Sequence, residues 1–71
     1  MINTEKLKEL RFKRRMTQIE LATAAGLSQA HYCQIENGKD SPSIKRLALI
    51  AKALGCSVKD LVLDTEEEVY A

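Results

Sequence analysis

The chain has 71 residues, of which 45% are hydrophobic and 30% charged. This size and composition predict one small globular domain, residues 1–71, and exclude a disordered chain. No apolar run approaches the roughly 20 residues that a membrane helix needs, and no signal-peptide core follows Met1, so we expect a cytoplasmic protein without membrane contact.

The net charge of +1 conceals two regions of opposite sign. Residues 1–59 contain all 11 basic residues and 5 acidic ones, a net charge of +6, whereas residues 60–71 contain the other 5 acidic residues and no basic one. A basic body suits a polyanionic partner, with the acidic end, segment 64–71 above all, held away from it. A simple solvated tail explains the acidic end equally well, so charge alone leaves the function open.

Start and stop signals predict five short helices and no strands. Asn3 or Thr4 begins a first helix that runs to about Arg14, and Thr17 with Glu20 forms a capping box that begins the second. The third, fourth and fifth helices each begin after a serine: Ser28, Ser43 and Ser57. The second, third and fourth helices each end at a glycine: Gly26, Gly38 and Gly55. The fold class is therefore all-α.

Apolar residues at helical spacing predict a single core. The fourth helix carries a stripe of Ile44, Leu47, Ala51 and Leu54. The other predicted core residues are Leu7, Leu10, Leu21, Ala22, Ala25, Leu27, Tyr32, Ile35, Val58 and Leu61.

The two cysteines do not predict a metal site. Cys33 and Cys56 lie 23 positions apart, a spacing typical of two buried or half-buried free thiols in a reducing compartment. With His31 they would supply one ligand too few for a closed zinc site. His31 is the only histidine, and neither a nucleophile motif nor a glycine-rich phosphate loop accompanies it, so no cofactor and no catalysis are predicted.

Residues 17–37 have the organisation of a helix-turn-helix unit. The short turn Ala25-Gly26-Leu27-Ser28 makes the second and third helices cross steeply. Several side chains of the third helix then face outward: Gln29, Ala30, His31, Cys33 and Gln34. A glutamine amide matches the exposed edge of adenine and a small apolar side chain fits a thymine methyl, although a single glutamine on a helix is more often simply solvated.

The stretch from Leu7 to about Val62 resembles the phage repressor and Cro family, often called Xre-like. The residues that carry the resemblance are Thr17-Gln18, Glu20-Leu21-Ala22, Ala25-Gly26-Leu27-Ser28, Gln34-Ile35-Glu36-Asn37-Gly38, Pro42-Ser43 and Ile50-Ala51-Lys52-Ala53-Leu54-Gly55. The resemblance implies a compact five-helix, lambda-repressor-like domain whose third helix enters the major groove of DNA.

The resemblance also implies site residues, position by position. Bases are read in relatives at the positions of Gln29, Ala30, His31 and Gln34, with His31 within reach of a phosphate as well. In relatives, the phosphate backbone of DNA is bound at the positions of Gln18, Asn37, Lys39 and Ser43. Arg15 is a further candidate for a phosphate contact, and a solvated side chain is an equally good interpretation of it. Arg11 and Glu36 match an ion pair between the first and third helices, the alternative being two independent surface charges.

Three residues depart from the family pattern. Arg15 stands where relatives usually have glycine, so the first helix is free to end differently. Tyr32 replaces an aliphatic core residue and requires a partner or an exit for its hydroxyl. Cys33 replaces a common serine on the outward face.

One recognition helix reads only about four base pairs. Relatives form dimers, which place two recognition helices in successive major grooves roughly 34 Å apart. We therefore predict a homodimer. Apolar residues beyond the needs of the core are available for the interface: Leu49, Val58, Val62 and Leu63, with Val69 and Tyr70 beyond them. Scattered surface hydrophobic residues are the alternative interpretation.

The leading hypothesis is a regulator that binds an inverted-repeat operator in double-stranded DNA, with no small-molecule ligand, of the restriction–modification controller or phage-switch type. The alternative is an antitoxin or another protein-interaction module whose acidic tail binds a partner protein.

Overall fold

A computed structural model describes residues 2–63, and the predicted acidic segment 64–71, with Val69 and Tyr70, lies outside them. Four α-helices follow one another: α1 (Thr4–Lys13), α2 (Gln18–Ala24), α3 (Gln29–Glu36) and α4 (Ile44–Leu54). The fifth predicted helix is a 3-10 helix of four residues, Val58–Leu61. Within the described residues there is no strand beyond one antiparallel bridge between Ile2 and Val62. The all-α prediction is confirmed.

Each α-helix begins at a side-chain cap. Thr17 Oγ1 accepts from the Glu20 amide at 3.1 Å, and Glu20 Oε1 accepts from the Thr17 amide at 2.9 Å, which is the predicted capping box. The caps of the other helices are Asn3, Ser28 and Ser43. These bonds satisfy amides that the first turn of a helix leaves without partners, so the local sequence sets where each helix starts.

The turn between α1 and α2 contains the one non-glycine residue with a positive φ among residues 2–63. Arg15, at the position where the resemblance predicts a glycine, has a φ of 55°. A left-handed conformation of this kind costs an L-residue roughly 1–2 kcal/mol. The chain therefore makes the glycine-type turn without a glycine.

The core lies between the helices and is closed by the 3-10 helix. Its buried hydrophobic residues are Leu7, Leu21, Ala22, Ala25, Leu27, Tyr32, Ile35, Leu47, Ile50, Ala51, Leu54 and Leu61. Leu10 and Val58 pack against it half-buried. The prediction for Ile44 is wrong, because its side chain is 73% exposed. Ile44 is the first residue of α4, next to an exposed loop, and the buried face is completed instead by Ile50.

Candidate nucleic-acid interface

Helix α3 divides into a buried and an exposed face. Tyr32, Ile35 and Glu36 are buried. Ala30, Gln34 and Asn37 are exposed at a spacing of four and then three residues, which places them along one side of the helix. We call these three residues the reading ridge, in which Ala30 and Gln34 are predicted base readers and Asn37, the C-cap of the helix, is a predicted phosphate contact. The other base-reading candidate of this type, Gln29, is exposed in the first turn.

The amides of the exposed glutamines are free for an external partner. Within residues 2–63, neither the Gln29 nor the Gln34 side chain makes a hydrogen bond. Each amide offers a donor and an acceptor together, which is the pattern that adenine presents in the major groove. The exposed methyl of Ala30 lies beside Gln34 on the same ridge.

His31, the fourth predicted base reader, lies to one side of the ridge. Its Nε2 is 2.7 Å from Oδ2 of Asp40, and the two side chains are 30% and 38% exposed. Asp40, nine residues further along the chain, was not predicted as its partner.

A buried ion pair joins α1 to α3. Arg11 Nε donates to Glu36 Oε2 at 3.0 Å and Arg11 Nη2 donates to Glu36 Oε1 at 2.8 Å. The residues are only 7% and 2% exposed, so they are not two independent surface charges. A third donor, Arg11 Nη1, bonds the Met16 carbonyl at 3.0 Å in the turn before α2. Burial alone would raise the pKa of Glu36, but hydrogen bonds led by those from Arg11 outweigh it and hold this pKa below its usual value.

The predicted phosphate anchor is part of the same network. Gln18 Nε2 lies 3.4 Å from Glu36 Oε1, so the first residue of α2 is linked to the last residue of α3. Arg11 and Glu36 therefore connect the start of α2 with the helix that carries the reading ridge.

The other predicted phosphate contacts lie at the end of α3, in the loop after it and in the turn before α2. Lys39 and Ser43 are exposed, as are Asn37 and Arg15. Ser43 Oγ accepts from the Arg46 amide, which leaves its hydroxyl hydrogen for another acceptor. Lys45 and Arg46, in the first turn of α4, lie with Ser43 around a shallow depression beside the Gly26 turn. These two cations are not among the site residues predicted from the sequence.

The sequence profile of the helix-turn-helix family matches residues 7–61. The chain belongs to this family. Among its relatives, the immunity repressor protein of Bacillus phage phi105 is 36% identical over 58 residues, which cover 82% of this chain and 40% of the repressor. This helix-turn-helix chain thus spans less than half the length of that relative.

Solved structures of two regulators are similar to this helix-turn-helix chain. The restriction-modification controller protein C.AhdI from Aeromonas hydrophila superposes with a TM-score of 0.77 at 26% identity, covering 80% of this chain and 86% of the controller. The DNA-binding domain of the P22 c2 repressor gives a TM-score of 0.76 at 28% identity, over 79% and 74% of the two chains. The same kind of unit also forms about a third of an enzyme, hydroxypropylphosphonic acid epoxidase from S. wedmorenis, with a TM-score of 0.77 at 30% identity over 84% of this chain and 32% of the enzyme.

The predicted interface residues of this helix-turn-helix chain differ in exposure. Leu49 is 43% exposed on α4. Val58, Val62 and Leu63 are half-buried, and the two valines pack against the core. A role for these four residues in pairing stays a prediction.

Tyr32 shows how the family pattern is modified in the core. Its side chain is fully buried, so the hydroxyl has no exit to solvent. Within residues 2–63, no group satisfies hydrogen-bond geometry with Tyr32 Oη, although Glu36 and Arg11 lie nearby. Burial raises the pKa of the phenol far above its usual value. The thiols of Cys33 and Cys56 are free and half-buried.

No helix within residues 2–63 has the length and apolar character needed to cross a lipid bilayer.

Proposed function

We propose that this protein regulates transcription by binding an inverted-repeat operator in double-stranded DNA as a homodimer. The observation that carries the proposal is the exposed reading ridge of α3. On the buried side of this helix, the Arg11–Glu36 ion pair holds α3 against α1. The free amide of Gln34 and the methyl of Ala30, held on a rigid helix, are suited to reading base edges in the major groove.

Phosphate contacts surround this ridge in the proposed complex. Gln18 reaches the backbone on one side of the groove, and Lys39 and Ser43 reach it on the other. Lys45 and Arg46 extend the same side. Residues 2–63 contain 11 basic and 6 acidic residues, a net charge of +5, which favours approach to a polyanion.

Pairing supplies the second recognition helix in the proposed complex. Its apolar material is the predicted set Leu49, Val58, Val62 and Leu63, together with Ile44, the most exposed large hydrophobic side chain of residues 2–63. We favour the controller type over the phage-switch type, and the structural similarity to the controller C.AhdI, with a TM-score of 0.77, supports this choice.

Selection from random duplex DNA, followed by titration of the selected sequence, tests the proposal. Gln34→Ala relaxes the base preference at one position in each half-site, because a bidentate contact contributes about 1–3 kcal/mol of discrimination, or roughly 5- to 150-fold. Gln18→Ala weakens binding to all sequences alike. Operator binding that survives both changes unaltered contradicts the proposed docking.

Salt dependence provides a second test with a matched control. Lys39→Ala reduces the slope of log affinity against log salt by about 1, because one phosphate contact is lost. Lys52→Ala makes the same charge change in the last turn of α4 and leaves the slope unaltered. Equal effects of the two variants would show that net charge, and not docking at this face, governs binding.

A further inference from the structure

His31 and Asp40 form a short contact across one side of α3. His31 lies in the first turn, where its amide donates to the Ser28 cap, and Asp40 lies in the loop that follows the helix. The distance of 2.7 Å between Nε2 and Oδ2 is typical of a hydrogen bond with a charged partner. The contact joins a predicted base reader to a residue outside the helix.

The backbone fixes the position of Asp40. The amides of Lys39 and Asp40 both donate to the Gln34 carbonyl, at 2.9 and 3.3 Å. The loop is thereby wound onto the last turn of α3, so the Asp40 carboxylate is held beside the histidine ring by the fold.

This arrangement determines the chemistry of the ring. An ionised carboxylate only accepts hydrogen bonds, so Nε2 must carry the proton that joins the pair. Nε2 is then occupied, and the remaining ring nitrogen, Nδ1, is adjacent to the ring carbon attached to Cβ and has the shorter reach. An isolated histidine at the same position would offer Nε2, its longest-reaching group, to a base.

We propose that Asp40 is a specificity-determining residue that acts through His31 by withdrawing Nε2 from base reading. The inference rests on the proposed function and changes the role of His31. In the intact protein the ring contributes little to the choice of bases, and Gln34 and Ala30 dominate it. Without Asp40 the ring is released beside Gln34, three residues further along the helix, and adds a base preference of its own.

Four proteins test this inference: the wild type, His31→Ala, Asp40→Ala and the double variant. For each, affinities are measured for operator duplexes that differ by one base pair, at every position of a half-site. With Asp40 present, His31→Ala changes these affinity ratios less than about twofold. In the Asp40→Ala background, His31→Ala changes the ratio at one position roughly three- to tenfold, the range expected for one hydrogen bond.

Asp40→Asn is the matched control. Its amide occupies Nε2 in either orientation, so the affinity ratios match those of the wild type. The lost negative charge tightens binding to all duplexes equally. A ratio of affinities is independent of the fraction of protein that is folded, so a destabilised variant does not imitate the expected result.

If His31→Ala changes the ratios equally in both backgrounds, or if Asp40→Asn behaves like Asp40→Ala, the inference is overturned while the proposed function stands. If the wild type selects no duplex sequence, the proposed function fails and this inference fails with it.

Discussion

Glu36→Gln should be strongly destabilising, although it changes only the charge and one hydrogen-bond acceptor of a side chain. Arg11 is 7% exposed and directs two donors at the Glu36 carboxylate, so the substitution leaves a buried guanidinium without a counter-charge. Breaking a buried pair in this way typically costs about 3–5 kcal/mol. A domain of this size has about 4–10 kcal/mol of stability in total, so the variant loses a large share of it.

Thermal and urea denaturation followed by circular dichroism at pH 7 measure this loss. A decrease of 3 kcal/mol lowers the melting temperature by at least about 12 °C in a chain of this length. Glu9→Gln is the matched control, because Glu9 is 67% exposed in its side chain and lies 3.7 Å from Lys6 on the surface of α1. The control should change stability by less than about 1 kcal/mol. Near-equal effects of the two substitutions would refute the reasoning.

A double variant separates the stability of the pair from its role in the interface. Replacing Arg11 by Met and Glu36 by Leu removes both charges together, and such exchanges are often neutral or stabilising by about 1–4 kcal/mol. Gln18 Nε2 nevertheless loses its acceptor at 3.4 Å. We expect a well-folded protein with weaker operator binding, and wild-type affinity in this variant would show that the network does not position Gln18.

Three further predictions concern single residues. Tyr32→Phe should leave the free energy of unfolding, measured by urea titration, unchanged or raise it by up to about 1 kcal/mol. The reason is that the buried hydroxyl has no hydrogen-bond partner within residues 2–63. A clear decrease in the free energy of unfolding would show that the hydroxyl does form a hydrogen bond. Arg15→Gly should stabilise by up to about 1 kcal/mol, as relief of the left-handed conformation exceeds the added entropy of the unfolded chain; an unchanged or lower urea midpoint would contradict this. The pKa of Glu36 is lower in the folded protein than in the unfolded chain, where it is about 4.3. The ionised carboxylate therefore stabilises the fold fully above about pH 4.3, and this stabilisation is lost as the pH falls through the lower, folded pKa. The free energies of unfolding of wild type and Glu36→Gln should converge in acid, and a constant difference between them at all pH values would refute the assignment.

Local signals predicted most of the fold. The two residues of the capping box, Thr17 and Glu20, are only three positions apart, and the structure contains both of its hydrogen bonds. The apolar stripe of α4 likewise identified the buried face, and it failed only at Ile44. Periodicity shows which side of a helix is buried, but the place where the core ends along the helix axis depends on other elements, which the pattern does not contain.

The candidate site was harder to predict because partners distant in sequence decide what its side chains do. Arg11 and Glu36 are 25 residues apart, and their pairing followed only from the family resemblance. Gln18 and His31 were likewise assigned from the family resemblance, yet the structure gives one a buried carboxylate and the other Asp40 as a partner. Helix position shows which side chains can face DNA, whereas the contacts within the protein determine which of their polar atoms remain free to bind it. By that criterion the amides of Gln29 and Gln34 are the polar groups of α3 best suited to reading bases.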